Sequence, residues 1–181
     1  MIRRRNIPAS SGVLSSVSSL VTLPVAAQGI SAPNPDLAAA KGAWRGQLTY
    51  RDYFRPDRLV TLPTRFFVAL SAPSDLTLHY VFDGGPSKTV YSFGRMAFDF
   101  VNSELIWTSG YPNAKMPQHR ILSMQAQEDG CTINFEREEG ANIRRYFFNL
   151  LPKTLRLGKE EGTSSGAFQF RNRYEFTRGE V

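Results

Sequence analysis

A chain of 181 residues is long enough for one domain with a sizeable core, and an aromatic content of 12% argues against disorder. The formal charge is +6, but Arg3, Arg4 and Arg5 supply three of those charges ahead of any acidic residue, and +3 remains without them. That balance is no argument for a nucleic-acid partner, and a single cysteine, Cys131, excludes an internal disulfide or a thiolate-built metal site.

The start reads as a targeting segment. Met1 to Asn6 is basic, Val13 to Val25 is mildly apolar, and Val25-Ala26-Ala27 has small residues where a signal peptidase cuts. Residues 1–27 are therefore expected to be a signal peptide, too short and polar to anchor in a bilayer. The alternatives are a retained extension, a twin-arginine signal built on Arg4-Arg5, and an organelle transit peptide. Export without disulfides suits a periplasmic or secreted protein, with no integral membrane segment after cleavage.

Residues 28–41 read as a linker and a short helix. Asn34 can cap the helix, Pro35 suits its first position, and Gly42 can end it in a left-handed conformation. From there to residue 181 the pattern is strand after strand. Trp44, Leu48 and Tyr50 share one face of the first strand, and Arg45, Gln47, Thr49 and Arg51 share the other. Arg55-Pro56-Asp57, Ala72 to Asp75, Asp83 to Pro86, Asp129-Gly130 and Glu139 to Asn142 are turn signals between apolar runs. Tyr111 to Gln118 is the longest turn-like stretch. Leu155 to Leu157 predicts a short ninth strand, Gly162 to Gly166 a flexible turn, and Phe168 to Thr177 the last strand.

Consecutive strands joined by short turns predict an all-β fold, an antiparallel up-and-down β-barrel of about 8–10 strands with a short N-terminal helix. Pairing of the first and last strands removes the free edges. It brings Trp44 to Phe176 and Arg178, with the arginine packed on the indole as a structural closure.

The expected inward set is Trp44, Leu48, Tyr50, Leu62, Phe66, Val68, Leu78, Tyr80, Phe82, Trp107, Ile133, Phe135, Phe168, Phe170, Asn172, Tyr174 and Phe176. Within it, Tyr50, Phe66, Tyr80, Trp107, Asn172 and Tyr174 are the candidate ligand-binding residues. They combine apolar surface with a few hydroxyls and one amide, which suits a small hydrophobic or aromatic molecule. The other reading of the same residues is a packed core filling a narrow barrel.

Catalytic signatures do not hold up. His79 falls on the solvent-facing side of its strand, and His119 follows Pro117 at a loop edge. Their spacing makes no ligand pair, so no metal site is expected. Gly162-Thr163-Ser164-Ser165-Gly166 matches a nucleophile pattern in letters, but a strand follows it and no histidine does. Gly84-Gly85-Pro86-Ser87-Lys88 reads as a hairpin turn, since Pro86 removes a donor that a phosphate loop needs. Glu136, Glu138 and Glu139 face Arg144 and Arg145 across a hairpin and read as solvated ion pairs.

Gly42-Ala43-Trp44 with a preceding helical turn, and an arginine at the end of the last strand (Arg178, or Arg173), resemble the calycin superfamily of lipocalins and fatty-acid-binding proteins. The resemblance implies a ligand-binding barrel. Fatty-acid-binding proteins hold a carboxylate through an Arg-x-Tyr pair on the last strand. Here Arg173 and Tyr174 are adjacent, and Arg144 and Tyr146 have that spacing on an earlier strand. Trp44-Arg45-Gly46 is also similar to the start of haem-binding nitrobindin-type barrels, whose iron ligand is a histidine near the C-terminus; the last histidine here is His119. No cofactor is expected. The leading expectation is an exported, non-catalytic barrel for a small hydrophobic ligand, with no nucleic-acid partner. The alternatives are a calycin-like enzyme acting on such a molecule, and a structural envelope protein with a filled barrel.

Overall fold

The computed structural model describes residues 34–110 and 116–179. The signal-peptide reading of residues 1–27 falls outside the described residues, as does much of the long loop after Gly110. Ten strands follow: β1 (Gly42–Arg51), β2 (Leu59–Ala72), β3 (Asp75–Asp83), β4 (Thr89–Asp99), β5 (Glu104–Ser109), β6 (Gln118–Gln127), β7 (Gly130–Glu139), β8 (Asn142–Leu150), β9 (Thr154–Thr163) and β10 (Gln169–Arg178). Each pairs antiparallel with its chain neighbours, and β10 pairs with β1, so the sheet is a closed barrel. Among the described residues no helix is long and apolar enough to cross a membrane.

Closure is dictated by the terminal strands. Trp44 lies opposite Arg178, and the register continues to Tyr50 opposite Asn172. The Arg178 guanidinium lies 3.9 Å from the centre of the Trp44 ring system. Its Nη1 donates to the Lys41 carbonyl at 2.6 Å, and its Nη2 donates to the Ala39 carbonyl. Trp44 is fully buried and its Nε1 donates to the Ala40 carbonyl at 2.8 Å. Gly46 is needed here, because a Cβ would fall 1.9 Å from the Glu175 carbonyl oxygen on the neighbouring strand.

The expected N-terminal helix is a single 3-10 turn, Ala38–Ala40, and the Asp36 carboxylate, not Asn34, accepts the Ala38 N–H at 2.8 Å. It stops short because Trp44 and Arg178 take the carbonyls of its last residues. Gly42 follows at φ +125°, a conformation that turns the chain into β1 and that a side chain disfavours.

The end of the barrel beneath this turn is the floor. Leu37, Leu76, Met96, Cys131, Leu150 and Leu155 are all fully buried there. The Phe98 and Phe148 rings meet edge-on at 6.2 Å from β4 and β8, so this half is filled by its own side chains. Burial first and the nearby Asp36 charge second push the Cys131 thiol up to about 12, which leaves it an inert core residue. The other end, where Arg51, Asp83, Ser109, Glu139 and Thr163 finish their strands, is the mouth.

Two strands differ from expectation. β9 runs beyond the expected Leu155–Leu157 to Thr163, so Lys159 and Glu161 belong to the wall and Gly162 and Thr163 to the strand rather than to the turn. β10 carries an irregularity between Phe170 and Asn172. A one-residue bulge reverses which side chains face inward on the far side of it. Phe170 therefore pairs with Glu160, off the inward row, and Arg171 takes the mouth position instead. Phe168 is also not an inward residue: its ring lies 3.9 Å under the outward-facing Arg145 guanidinium.

Candidate ligand-binding site

Alternation along each strand sorts side chains into floor, mid-height and mouth. At mid-height two aromatic clusters occupy opposite parts of the wall. Phe66, Tyr80, Phe82, Tyr174 and Phe176 form one on β2, β3 and β10, with Phe66–Tyr80 stacked at 4.3 Å and Tyr80–Tyr174 tilted at 5.3 Å. Trp107, His119, Phe135 and Tyr146 form the other on β5 to β8. Phe135 and Tyr146 stack at 5.2 Å, with Trp107 edge-on to Tyr146 at 5.4 Å and His119 edge-on at 5.2 Å.

Above the second cluster the wall becomes charged. Ile133 and Phe135 are core residues of β7, so Arg137 and Glu139, two and four positions beyond Phe135, face the same way. By the same rule Arg144 on β8 faces inward with Tyr146 and Phe148, and Lys159 and Glu161 on β9 with Leu155 and Leu157. Arg137 and Arg144 are direct register partners, two like charges side by side. Glu139 bridges them: Arg144 Nη2 is 2.7 Å from one carboxylate oxygen, its Nη1 donates to the other at 3.0 Å, and Arg137 contacts that same oxygen. Glu161 sits 2.9 Å from Lys159 Nζ, 3.4 Å from Arg144 Nε and 4.0 Å from Arg171 Nε. Burial raises the Glu161 pKa, but Lys159, Arg144 and Arg171 outweigh it and hold the carboxyl below its ordinary value. Glu139 and Arg144 are thus not the solvated hairpin pairs expected. The outward row is separate: Glu136 lies between Arg120 and Arg145.

Arg171 Nη1 donates to the Arg51 carbonyl at 2.6 Å, and its guanidinium lies 4.0 Å from the Tyr53 ring centre. A cleft of about 540 Å³ opens here, lined by Tyr53, Arg144, Lys159, Glu161 and Arg171 among others.

Among the described residues, Tyr80 Oη, Trp107 Nε1, His119 Nδ1 and Arg137 Nε are buried without a hydrogen-bond partner, and all four belong to inward-facing residues. Burial, with the Tyr174 charge, pushes the Tyr80 phenol well above its ordinary value. Burial likewise pushes Tyr174 up to about 12. Both hydroxyls remain protonated donors at neutral pH. His119 is 4% exposed, and its pKa is lowered to about 4 by burial and by the Arg137 charge, against the carbonyls of Leu105 and Pro117.

The sequence-predicted residues divide as follows. Tyr80 and Tyr174 meet in the first aromatic cluster, Phe66 lies at its buried base, and Trp107 lies in the second. Asn172 and Tyr50 are opposite each other near the mouth, half-buried. Missing from the prediction were His119, Arg137, Glu139, Arg144, Lys159 and Glu161. His119, at the loop edge as the second residue of β6, faces inward beside Trp107, which its position after Pro117 does not announce. His79 does face outward, half-buried, with its ring stacked on Phe93 at 4.3 Å. The signal for the missed residues was parity: Arg137 and Glu139 continue the row of Ile133 and Phe135, and His119 shares the row of Ile121.

No family model and no curated protein matches this chain. Its structure is similar to that of Rv2717c from M. tuberculosis, at 11% identity and a TM-score of 0.57, covering 80% of this chain and 95% of that one. It is also similar to the S-type phycobiliprotein lyase CPES from Guillardia theta, at 10% identity and a TM-score of 0.51, covering 79% and 90%. These likenesses carry the fold alone, a closed antiparallel barrel.

Proposed function

We propose that this protein is an exported, non-catalytic barrel, periplasmic or secreted, that binds one small hydrophobic or aromatic molecule in its mouth half. The observation that carries the reading is the set of four unsatisfied inward polar atoms above a filled floor. Leaving a polar group buried and unpaired costs about 1–3 kcal/mol, and a bound molecule with acceptor atoms offsets that cost. Tyr80, Trp107 and Tyr174 supply stacking surface and donors, and Asn172 and Tyr50 line the approach. The solved lyase of similar fold is consistent with a small molecule in such a barrel.

A buried histidine beside the interior favours one other reading, an enzyme acting on the same class of molecule. His119 at about 4 is a weak base at neutral pH. It pairs with no nucleophilic serine or cysteine in its cluster of Trp107, Phe135 and Tyr146. Binding is therefore the stronger reading.

Native mass spectrometry of the purified protein should show a single added small-molecule mass that is released on unfolding. The neutral dye N-phenyl-1-naphthylamine should bind with blue-shifted fluorescence at one site per chain. Recovery of the bare mass together with no dye binding overturns the proposal.

A further inference from the structure

We propose that the mouth takes the acidic group of an organic anion, and that Glu139 is the protein's own competitor for that position. This rests on the ligand-binding reading above and names the ligand class: an apolar or aromatic body bearing one carboxylate or sulfonate.

Four inward or mouth cations, Arg137, Arg144, Lys159 and Arg171, face two carboxylates, Glu139 and Glu161. Glu161 is shared among three of the cations. Arg137 is left with a share of Glu139 alone, and Arg144 with shares of Glu139 and Glu161, although the two stand directly opposite each other across the β7–β8 ladder. A positive excess on a poorly solvated wall attracts an anion. The fork geometry of two guanidiniums suits a carboxylate or sulfonate, whose oxygens take parallel N–H bonds.

Unpaired polar atoms continue inward from that fork. Arg137 Nε has no partner, and neither has the Nδ1 of His119 among the described residues. His119 is nearly fully buried on the inward row of β6, so its unpaired ring nitrogen is shielded from water beside these residues. Below these atoms lie the rings of Trp107, Phe135 and Tyr146. The order from mouth to mid-height is thus guanidinium fork, unpaired polar atoms, aromatic box. A molecule with an acidic head and an aromatic body matches that order.

Glu139 is the last residue of β7 and precedes Gly140, whose φ of +62° makes the hairpin turn. Its side chain is 34% exposed, whereas that of Arg137 is 20% exposed. The Arg144 side chain is equally exposed at 34%, so the carboxylate can swing out to water while the less exposed Arg137 guanidinium stays. An incoming acid displaces it and inherits its bonds. No covalent step is involved.

The test uses a matched pair of probes. 1-Anilinonaphthalene-8-sulfonate carries a sulfonate, and N-phenyl-1-naphthylamine is the same body without it. Titrations on the full chain should give the sulfonate probe about tenfold tighter binding than the neutral one, the size of one charge-assisted hydrogen bond. Arg137→Met and Arg144→Met should each cut the preference for the sulfonate probe over the neutral one about tenfold. Glu139→Gln should tighten the sulfonate probe several-fold and leave the neutral probe unchanged. Should an arginine variant fail to fold, Glu139→Gln and Arg137→Lys decide the matter alone. Equal affinity for the two probes, or a preference that no variant alters, overturns the anion site and leaves the binding barrel standing. Failure of the neutral probe to bind wild-type protein overturns the binding barrel itself.

Discussion

Replacing Trp44 by alanine is expected to destabilise the barrel by about 3–5 kcal/mol, the range for truncating a large buried aromatic. The indole is fully buried at the seam between first and last strands, and three interactions go with it. Its Nε1 bond to Ala40 is lost, so a buried carbonyl loses its donor. The Arg178 guanidinium loses the face it covers, a contact worth about 0.5–2 kcal/mol. The 3-10 turn loses its anchor. Urea denaturation at neutral pH measures the sum. Arg178→Met should cost less, since the floor stays packed while only the polar ties to Ala39 and Lys41 are cut. A Trp44→Ala variant as stable as wild type would show that the seam is held elsewhere.

Acidification is the second large effect. The His119 imidazole has its pKa lowered from 6.5 to about 4 in the folded protein. The unfolded chain therefore binds a proton in a range where the folded one does not. Its contribution is complete above pH 6.5, is lost as pH falls from 6.5 toward 4, and changes no further below that. The full loss is about 3 kcal/mol. Glu136 and Glu161 have lowered pKa values from an ordinary 4.5, so they act at the acid end and below this window. Urea midpoints measured from pH 7 down to pH 5 should fall for wild type. They should stay nearly level for His119→Gln, which cannot take up the proton. An equal fall in both proteins would assign the slope to other groups.

The barrel was legible because its period-two rows are clean at both ends of the domain. Trp44, Leu48 and Tyr50 announce an inner face, as do Tyr174 and Phe176, and two such strands can pair. The candidate site was half legible. Tyr80 and Tyr174 were found because aromatics on an inward row need no further context. Arg137, Glu139 and Arg144 were missed for a physical reason: charges of opposite sign flanking a glycine turn look like a solvated hairpin, and the usual cost of facing them inward argues the same way. That cost is met by three-way pairing through Glu139, which depends on register across β7 and β8. The exchange of Phe170 for Arg171 was beyond reach, since a bulge is a property of the ladder and not of one strand.

Most of the wall is zipped by long ladders: ten residue pairs join β1 to β2, and nine join β7 to β8. Between β5 and β6 only three are found among the described residues, Glu104 with Arg120, Leu105 with His119, and Ile106 with Gln118. A cleft of about 500 Å³ lies against this stretch and touches His119 and Arg137 from the side. Breathing concentrates where the fewest bonds must break together. Amide protons of β5 and the start of β6 are expected to exchange with deuterium well before those of β7 and β8. A small molecule of the kind proposed would then have a lateral door in the staves, beside His119 and Arg137, as well as the mouth.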